Sequence, residues 1–420
     1  MDDTAIAIGG AKGSAIGTGA GVLTGLIFML IIYLRKRPEI MKDVASDKSG
    51  SELSYAAIGR IIFGMVTPVV LSTCIYNLSS ASNLKIYQYI VENQHGYTEA
   101  MATTNYGLFS GKAMQIVNIP IAIASAMAAA IIPTIARTHE RGEYKEGREK
   151  IAYAVKVTML IAMPSAFGLL ALAEPVTLLL YPQRATYMIV AKLIRALSVT
   201  VIFYCLSTLS NAILQGTGNV NIPVVNAAVS LFVQAGVLVI LLKNTSLDLY
   251  ALVIVTIIYS ALMCILNGVA MRVRLRYKQE VIRSYFLPFQ AALGMYLVAV
   301  GTNWTVSHFI RISCGNPDMI ITGWYNILRL VVSMLFAVIS YAWFVLHMGV
   351  AREKEILMMP KGAVIVKVLK RLGLIHEHDI VNRRRQKRGQ DILVTSYSVD
   401  DEVKSISELK KDAENNKKNN

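Results

Sequence analysis

The sequence predicts an all-α, polytopic transmembrane helical bundle with about nine spans. Composition favours this class, because 54% of the 420 residues are hydrophobic and only 16% are charged, a more apolar balance than soluble proteins usually have. Long apolar stretches also approach the ~20 residues that a helix needs to cross a hydrocarbon layer of ~30 Å. Since backbone groups must pair internally in lipid, such stretches favour spanning helices. The clearest examples are Ser14–Leu34, Ile61–Ser82, Ala152–Leu172, Val220–Leu242, Leu249–Met271 and Asn326–Leu346.

Charged runs and prolines separate the spans of the N-terminal half. The first span is expected to stop at a basic run followed by Pro38, because proline interrupts a helix. The third span contains two prolines and is predicted to be long and kinked. The fourth is expected to stop before Glu174-Pro175, which opens a short re-entry. The predicted connecting segments are 35–60, 84–104, 137–150 and 174–187.

Glycines and basic residues mark the ends of the later spans. The segment Gln215–Asn219 contains two glycines and predicts a tight turn between the fifth and sixth spans. A basic segment, 272–276, ends the seventh, and the ninth is predicted to end near His347. In the hydrophilic tail, Lys361–Ile375 has one apolar helical face and predicts a short interfacial helix. The polar residues beyond Asp391 are typical of disorder.

The distribution of basic residues predicts the orientation of the bundle. The chain has 42 Lys and Arg against 27 Asp and Glu, for a net charge of +15. Loops 35–60, 137–150 and 272–283 hold six, five and five Lys or Arg, whereas most loops between them hold one. The positive-inside rule therefore places the C-terminus in the cytoplasm and Met1 outside, in a multi-pass protein of the cell membrane. The rule also explains the positive net charge, so no nucleic-acid partner is expected. A Met1 outside the membrane suggests that further helices precede it.

Few ionisable side chains fall inside the predicted spans. Lys112 lies next to a helix face that carries Gln115 and Asn118, and Arg195 lies about two turns into the fifth span. A cation in lipid is costly, so these four residues are candidates for binding a phosphate in an amphiphilic substrate. The alternative for both cations is snorkelling to headgroups near the membrane surface. Arg329, just inside the ninth span, is interpreted as an interface residue.

Motifs for enzymatic chemistry are weak. The His376–Asp379 cluster resembles a metal site but has no cysteine partners, and solvated tail residues explain it better. The glycines in Gly9–Ser14 lack the spacing of a phosphate-binding loop, so they favour small-residue helix packing. The sequence therefore predicts a protein that is not an enzyme and needs no cofactor or metal.

A series of short segments resembles a known family from Gly13 to about Lys278. The resemblance is to the group of polysaccharide exporters that includes stage V sporulation protein B and lipid II flippases, within the multidrug/oligosaccharidyl-lipid/polysaccharide exporter superfamily. The segments are Ile16–Gly21, Tyr106-Gly107, Gly111–Ala113, Asn118–Pro120, Ile131–Ala136, Met163–Leu169, Glu174-Pro175, Leu179–Tyr181, Ile213–Gly218 and Ile222-Pro223.

The resemblance implies a particular domain organisation. Family members have about fourteen helices, in two six-helix lobes followed by two more, and this chain resembles the C-terminal two-thirds, beginning at the sixth helix. The implied parts are the last helix of an incomplete first lobe (1–37), a cytoplasmic linker (38–57), the second lobe (58–278), two additional helices (279–347) and a cytoplasmic tail (348–420).

The resemblance also implies a function. It is the flipping of a polyprenyl-pyrophosphate-linked glycan, such as a peptidoglycan precursor, across the cytoplasmic membrane by alternating access, in cell-wall synthesis or sporulation. Family members have a cationic cavity, and Lys112 and Arg195 are the second-lobe cations expected near it. A cation-coupled multidrug exporter is one alternative, although it would favour an acidic residue deep inside a span. The other is a non-transporting fragment or partner in cell-envelope assembly. Expected partners are the lipid-linked oligosaccharide, membrane lipids and cell-envelope synthesis enzymes.

Overall fold

The computed structural model describes residues 3–46, 54–314 and 323–348, and all regular structure within them is helical. Nine helical segments there are long and apolar enough to cross a membrane, which confirms the predicted all-α, multi-pass bundle. Two π-helical turns, Leu108–Ala113 and Ile282–Phe286, lie just before α4 and α9. The helices are α1 (Asp3–Ser46), α2 (Tyr55–His95), α3 (Glu99–Gly107), α4 (Met114–Glu140), α5 (Tyr144–Leu180), α6 (Tyr187–Gly216), α7 (Asn221–Asn244), α8 (Leu249–Arg274), α9 (Leu287–Cys314) and α10 (Gly323–His347).

The chain divides into two units, residues 1–67 and 68–420. In the first unit, α1 continues through Pro38 and ends at Ser46, so the helix does not stop at the basic run as the sequence predicted. The helix continues because good helix formers follow the proline, and Lys36 and Glu39 form an exposed ion pair of 3.5 Å on either side of it. The interfacial helix and the charged clusters of the tail lie outside the described residues. The orientation in the membrane and the predicted domain boundaries stay predictions.

In the second unit, α2 continues to His95 instead of ending near Asn83. Asn83, Tyr87, Ile90 and Val91 are buried at helical spacing, so packing of one face extends the helix where apolar content falls. The predicted loop is consequently reduced to three residues, 96–98, with Gly96 in the left-handed region at φ 70°.

Helix α5 also differs from the sequence prediction. It does not end at Ala173 but continues through Pro175 to Leu180, with a non-helical residue at Leu172 (φ −111°, ψ 17°). Proline at position 175 provides no N–H to the carbonyl of Ala171 and crowds it, which explains a kink at this point. The kink keeps Glu174 inside the helical bundle, whereas the sequence placed it in a connecting segment.

Helix α6 is the centre of the second unit. It packs against α4, α5 and α8, and buried residues occur all around it, as expected for a helix that is apolar on every face. Polar side chains join it to its neighbours, since Asn267 of α8 donates to Asn211 of α6 (2.7 Å) and accepts from Asn226 of α7 (2.8 Å). Interhelical hydrogen bonds of this kind connect helices in membranes.

Helices α9 and α10 form a hairpin that packs against α5. A Cβ atom at Gly294 of α9 would lie 2.5 Å from the ring of Phe344 of α10, so the two helices approach closely there. Phe167 of α5 meets Phe289 edge to face, with centroids 5.5 Å apart. Tyr341 of α10 donates to the Leu160 carbonyl at 2.8 Å. These contacts fix the hairpin on the side of α5 that carries Glu174.

Candidate substrate-binding site

One carboxylate and two guanidinium groups form a cluster between α5, α6 and α10. Glu174 lies 3.4 Å from Arg329 Nη1 and 3.7 Å from Arg195 Nη2. The Arg329 side chain is 5% exposed, that of Glu174 27% and that of Arg195 42%. The cluster therefore has one excess positive charge, and Arg195 is its most accessible member.

Helix α10 contributes a line of polar residues to the cluster. Asn326, Arg329 and Ser333 recur at helical spacing and are all buried. Arg329 Nε donates to Asn303 of α9 at 2.6 Å, and Asn326 donates to the Pro175 carbonyl at 2.9 Å. This carbonyl adjoins the kink of α5, so the kink brings both Glu174 and a backbone acceptor to α10.

Lys112 lies in the π-helical turn that precedes α4. Its ammonium group donates to Gln183 and, at 3.4 Å, to Thr186, both in the α5–α6 connection. It also lies 5.6 Å from the centre of the Tyr181 ring, within the range of a cation–π contact. Single π-helical turns within α-helices are frequent at functional sites, and this one directs the cation toward the same end of α5 and α6 as Arg195.

The other two candidates lie further along the same helix as Lys112. Gln115 is exposed and Asn118 is half-buried on α4. The described contacts join Lys112 to the α5–α6 connection and Arg195 to Glu174, and they show no direct contact between the two cations. The four residues stay candidates for substrate binding.

Sequence reasoning missed two members of the cluster. Arg329 was interpreted as an interface residue, yet its guanidinium is buried and ion-paired, and Glu174 was assigned to a connection. The sequence did contain a signal for this cluster. Glu174 is an acid next to Pro175, and Arg195 and Arg329 are basic residues inside later spans that could pair with it. A third missed residue, Lys156 of α5, is 6% exposed, and the sequence offered no sign of its burial beyond its position in a span.

These features define a multi-pass membrane protein with a partly accessible cationic cluster between its helices. The chain belongs to the lipid II flippase MurJ family, whose family model matches residues 9–315. This confirms the resemblance found in the sequence. The family is one of flippases, which are transporters and not enzymes, as the sequence predicted.

Individual relatives are distant. The lipid II flippase MurJ of Bacillus subtilis (strain 168) is 22% identical over 247 residues, which cover 58% of this chain and 44% of that protein. The chain therefore spans less than half the length of this curated relative. Among solved structures, a MOP superfamily transporter from Pyrococcus furiosus Vc1 (DSM3638) is similar with 13% identity and a TM-score of 0.37, covering 66% of this chain and 63% of that one.

Proposed function

We propose that this chain contributes the second lobe and the following two helices of a flippase for a polyprenyl-pyrophosphate-linked glycan. In this proposal Arg195 and Lys112 bind the pyrophosphate, and Gln115 and Asn118 provide neutral polar contacts on α4. The observation that carries the proposal is the Glu174–Arg195–Arg329 cluster, which holds an exposed cation next to a buried one. The proposed orientation keeps the C-terminus in the cytoplasm.

The geometry of the cluster suits reversible binding. If a pyrophosphate attracts Arg195 away from Glu174, the carboxylate retains Arg329 at 3.4 Å. The release of Arg195 therefore leaves no unpaired carboxylate between the helices, which would be costly. Arg195 can exchange between a protein carboxylate and a substrate phosphate, and guanidinium groups suit both ligands.

The alternative of a cation-coupled exporter has weaker support. It needs an acidic residue free to bind the coupling ion, and Glu174 already contacts two guanidinium groups. The alternative of a non-transporting partner in cell-envelope assembly predicts that substitutions of Lys112 and Arg195 leave ligand binding unchanged. Contacts with cell-envelope synthesis enzymes and a role in sporulation stay predictions.

A binding experiment tests the proposal. The full chain in detergent micelles is titrated with a fluorescent polyprenyl-pyrophosphate disaccharide and with the same lipid lacking the pyrophosphate. We expect Arg195→Gln to weaken binding of the first ligand at least about tenfold, because a charge-assisted hydrogen bond contributes about 1.5–3 kcal/mol. The matched control is Lys192→Gln, which removes an exposed cation one turn away on the same helix.

The same titrations can contradict the proposal in two ways. Equal affinity for the two lipids, or equal losses in the Arg195 and Lys192 variants, would contradict the proposal. Thermal unfolding is measured in parallel. The exposed Arg195–Glu174 pair should contribute at most about 1 kcal/mol to stability, so the Arg195 variant should remain folded.

A further inference from the structure

A second cationic site lies at the opposite end of α5 from Glu174. A cavity of about 410 Å³ opens where α4 ends, α5 begins and α8 ends. Its volume is within the range of small-molecule sites, roughly 300–1,000 Å³. The residues of α5 that line it, Tyr144, Gly147, Arg148 and Ile151, share one helix face. The cavity is therefore built by converging helix ends and is separate from the proposed substrate cluster.

The polar lining of the cavity is cationic. Arg148, Arg274 and Arg276 line it together with His139, and no acidic side chain of the described residues does so. Glu146, on the same part of α5, does not line the cavity and forms a 2.7 Å ion pair with Lys150. Three guanidinium groups around one cavity create a site for an anion.

The backbone conformation of Arg276 is explained by the end of α8. Its φ of 52° lies in the left-handed region, which among the described non-glycine residues is shared only with Asp248. This conformation disfavours a side chain with a Cβ atom and costs on the order of 1 kcal/mol or more. The N–H groups of Leu275 and Tyr277 both donate to the Met271 carbonyl, at 3.0 and 3.4 Å. Arg276 therefore takes the left-handed conformation that commonly ends a helix, and this helix end places it at the cavity.

The floor of the cavity is apolar. Ile135, Ile151 and Leu275 line the cavity and are buried. A ligand that combines an anionic group with an apolar attachment therefore matches the lining better than a free inorganic ion. The site lies near the ends of α4, α5 and α8, which are long and apolar enough to cross a membrane.

We infer that this cavity binds the phosphate headgroup of an anionic membrane lipid, through Arg148, Arg274 and Arg276. The 272–283 segment, which contributes two of these arginines, carries five Lys or Arg and one acidic residue, and basic pockets between helices bind acidic lipid headgroups. The inference does not depend on the proposed transport function. A bound lipid would join α4, α5 and α8 at this end of the bundle.

The test compares two arginine variants of the full chain in zwitterionic detergent. Thermal unfolding is followed while phosphatidylglycerol or phosphatidylcholine is added to the micelles. Phosphatidylglycerol is expected to raise the midpoint of the wild-type protein more than phosphatidylcholine does. Arg274→Gln and Arg148→Gln are expected to weaken the apparent affinity for phosphatidylglycerol at least about fivefold each.

The matched control is Arg272→Gln, an exposed arginine of the same helix end that does not line the cavity. An equal loss in this variant would overturn the inference, because it would show a general attraction between basic loops and acidic lipid. Titration with sodium phosphate separates the two sources of phosphate. If it stabilises the protein as well as phosphatidylglycerol does at the same concentration, the site binds free phosphate and the lipid assignment is wrong.

Discussion

Replacement of Glu174 by glutamine should destabilise the bundle more than most single substitutions of a partly exposed acid. The carboxylate lies 3.4 Å from Arg329, whose side chain is only 5% exposed. Glu174→Gln leaves this guanidinium buried without its counter-ion, and breaking a buried ion pair in this way costs about 3–5 kcal/mol. The hydrogen bond from Arg329 Nε to Asn303, 2.6 Å long, still satisfies one donor, so we expect a value near the lower limit, about 3 kcal/mol.

The contribution of Arg195 to this loss should be small. It lies 3.7 Å from the same carboxylate, but its side chain is 42% exposed. Exposed pairs contribute about 0–1 kcal/mol. Glu174→Gln should therefore be much more costly than Arg195→Gln, although both remove an ion pair from the same cluster.

The assay measures the free energy of unfolding in mixed detergent micelles. It compares Glu174→Gln, Arg329→Met and the double variant that carries both substitutions. Because the double variant has no unpaired buried charge, it should be more stable than Glu174→Gln alone. The control is Glu149→Gln, at an exposed acid of the same helix. A loss below about 1 kcal/mol for Glu174→Gln, or strictly additive effects in the cycle, would refute the reasoning.

Two further predictions concern packing and pH. Gly294→Ala should cost about 1–3 kcal/mol of unfolding free energy, because the new Cβ would lie 2.5 Å from the Phe344 ring. Gly301→Ala, with open space around it, should cost nothing, and equal losses for the two would contradict this prediction. Burial, and secondarily Glu280, raises the pKa of Tyr277 to about 12, so the folded state keeps a proton that the unfolded chain releases near pH 10. Stability should therefore fall as the pH rises from about 10 to about 12. Tyr277→Phe should reduce that fall without loss at pH 7, since the Tyr277 hydroxyl has no hydrogen-bond partner among the described residues; an unchanged alkaline slope in chemical denaturation would argue against it.

The spans were predictable because their signal is local. Length and apolar content alone decide whether a segment can cross a hydrocarbon layer. Each of the six stretches from Ser14–Leu34 to Asn326–Leu346 lies within a described helix, except that Val220–Leu242 begins one residue before α7. The bounds were less predictable where a helix is stabilised by packing. Tyr87 and Val91 extend α2 because they are buried in the core, and both lie beyond the apolar stretch Ile61–Ser82.

The cluster around Glu174 could be predicted only in part. Arg195 was a candidate because a cation inside a span is costly wherever it lies. Its partner was not evident, since ion pairing depends on which helix faces meet and on the kink at Leu172. Lys112 was identified for the same reason as Arg195, but its contacts with Gln183 and Thr186 depend on the position of the α5–α6 connection.

The sequence by itself determined that this chain is a membrane-spanning helical bundle of the MurJ family, because apolar length and ordered motifs are properties of contiguous residues. The tertiary structure alone decided that Arg329 is buried against Glu174, a residue 155 positions away. It also decided that three arginines from two distant segments line one cavity. The physical reason is that a charge in lipid must find a partner or a polar surface, and the chain can supply one only by bringing distant helices together.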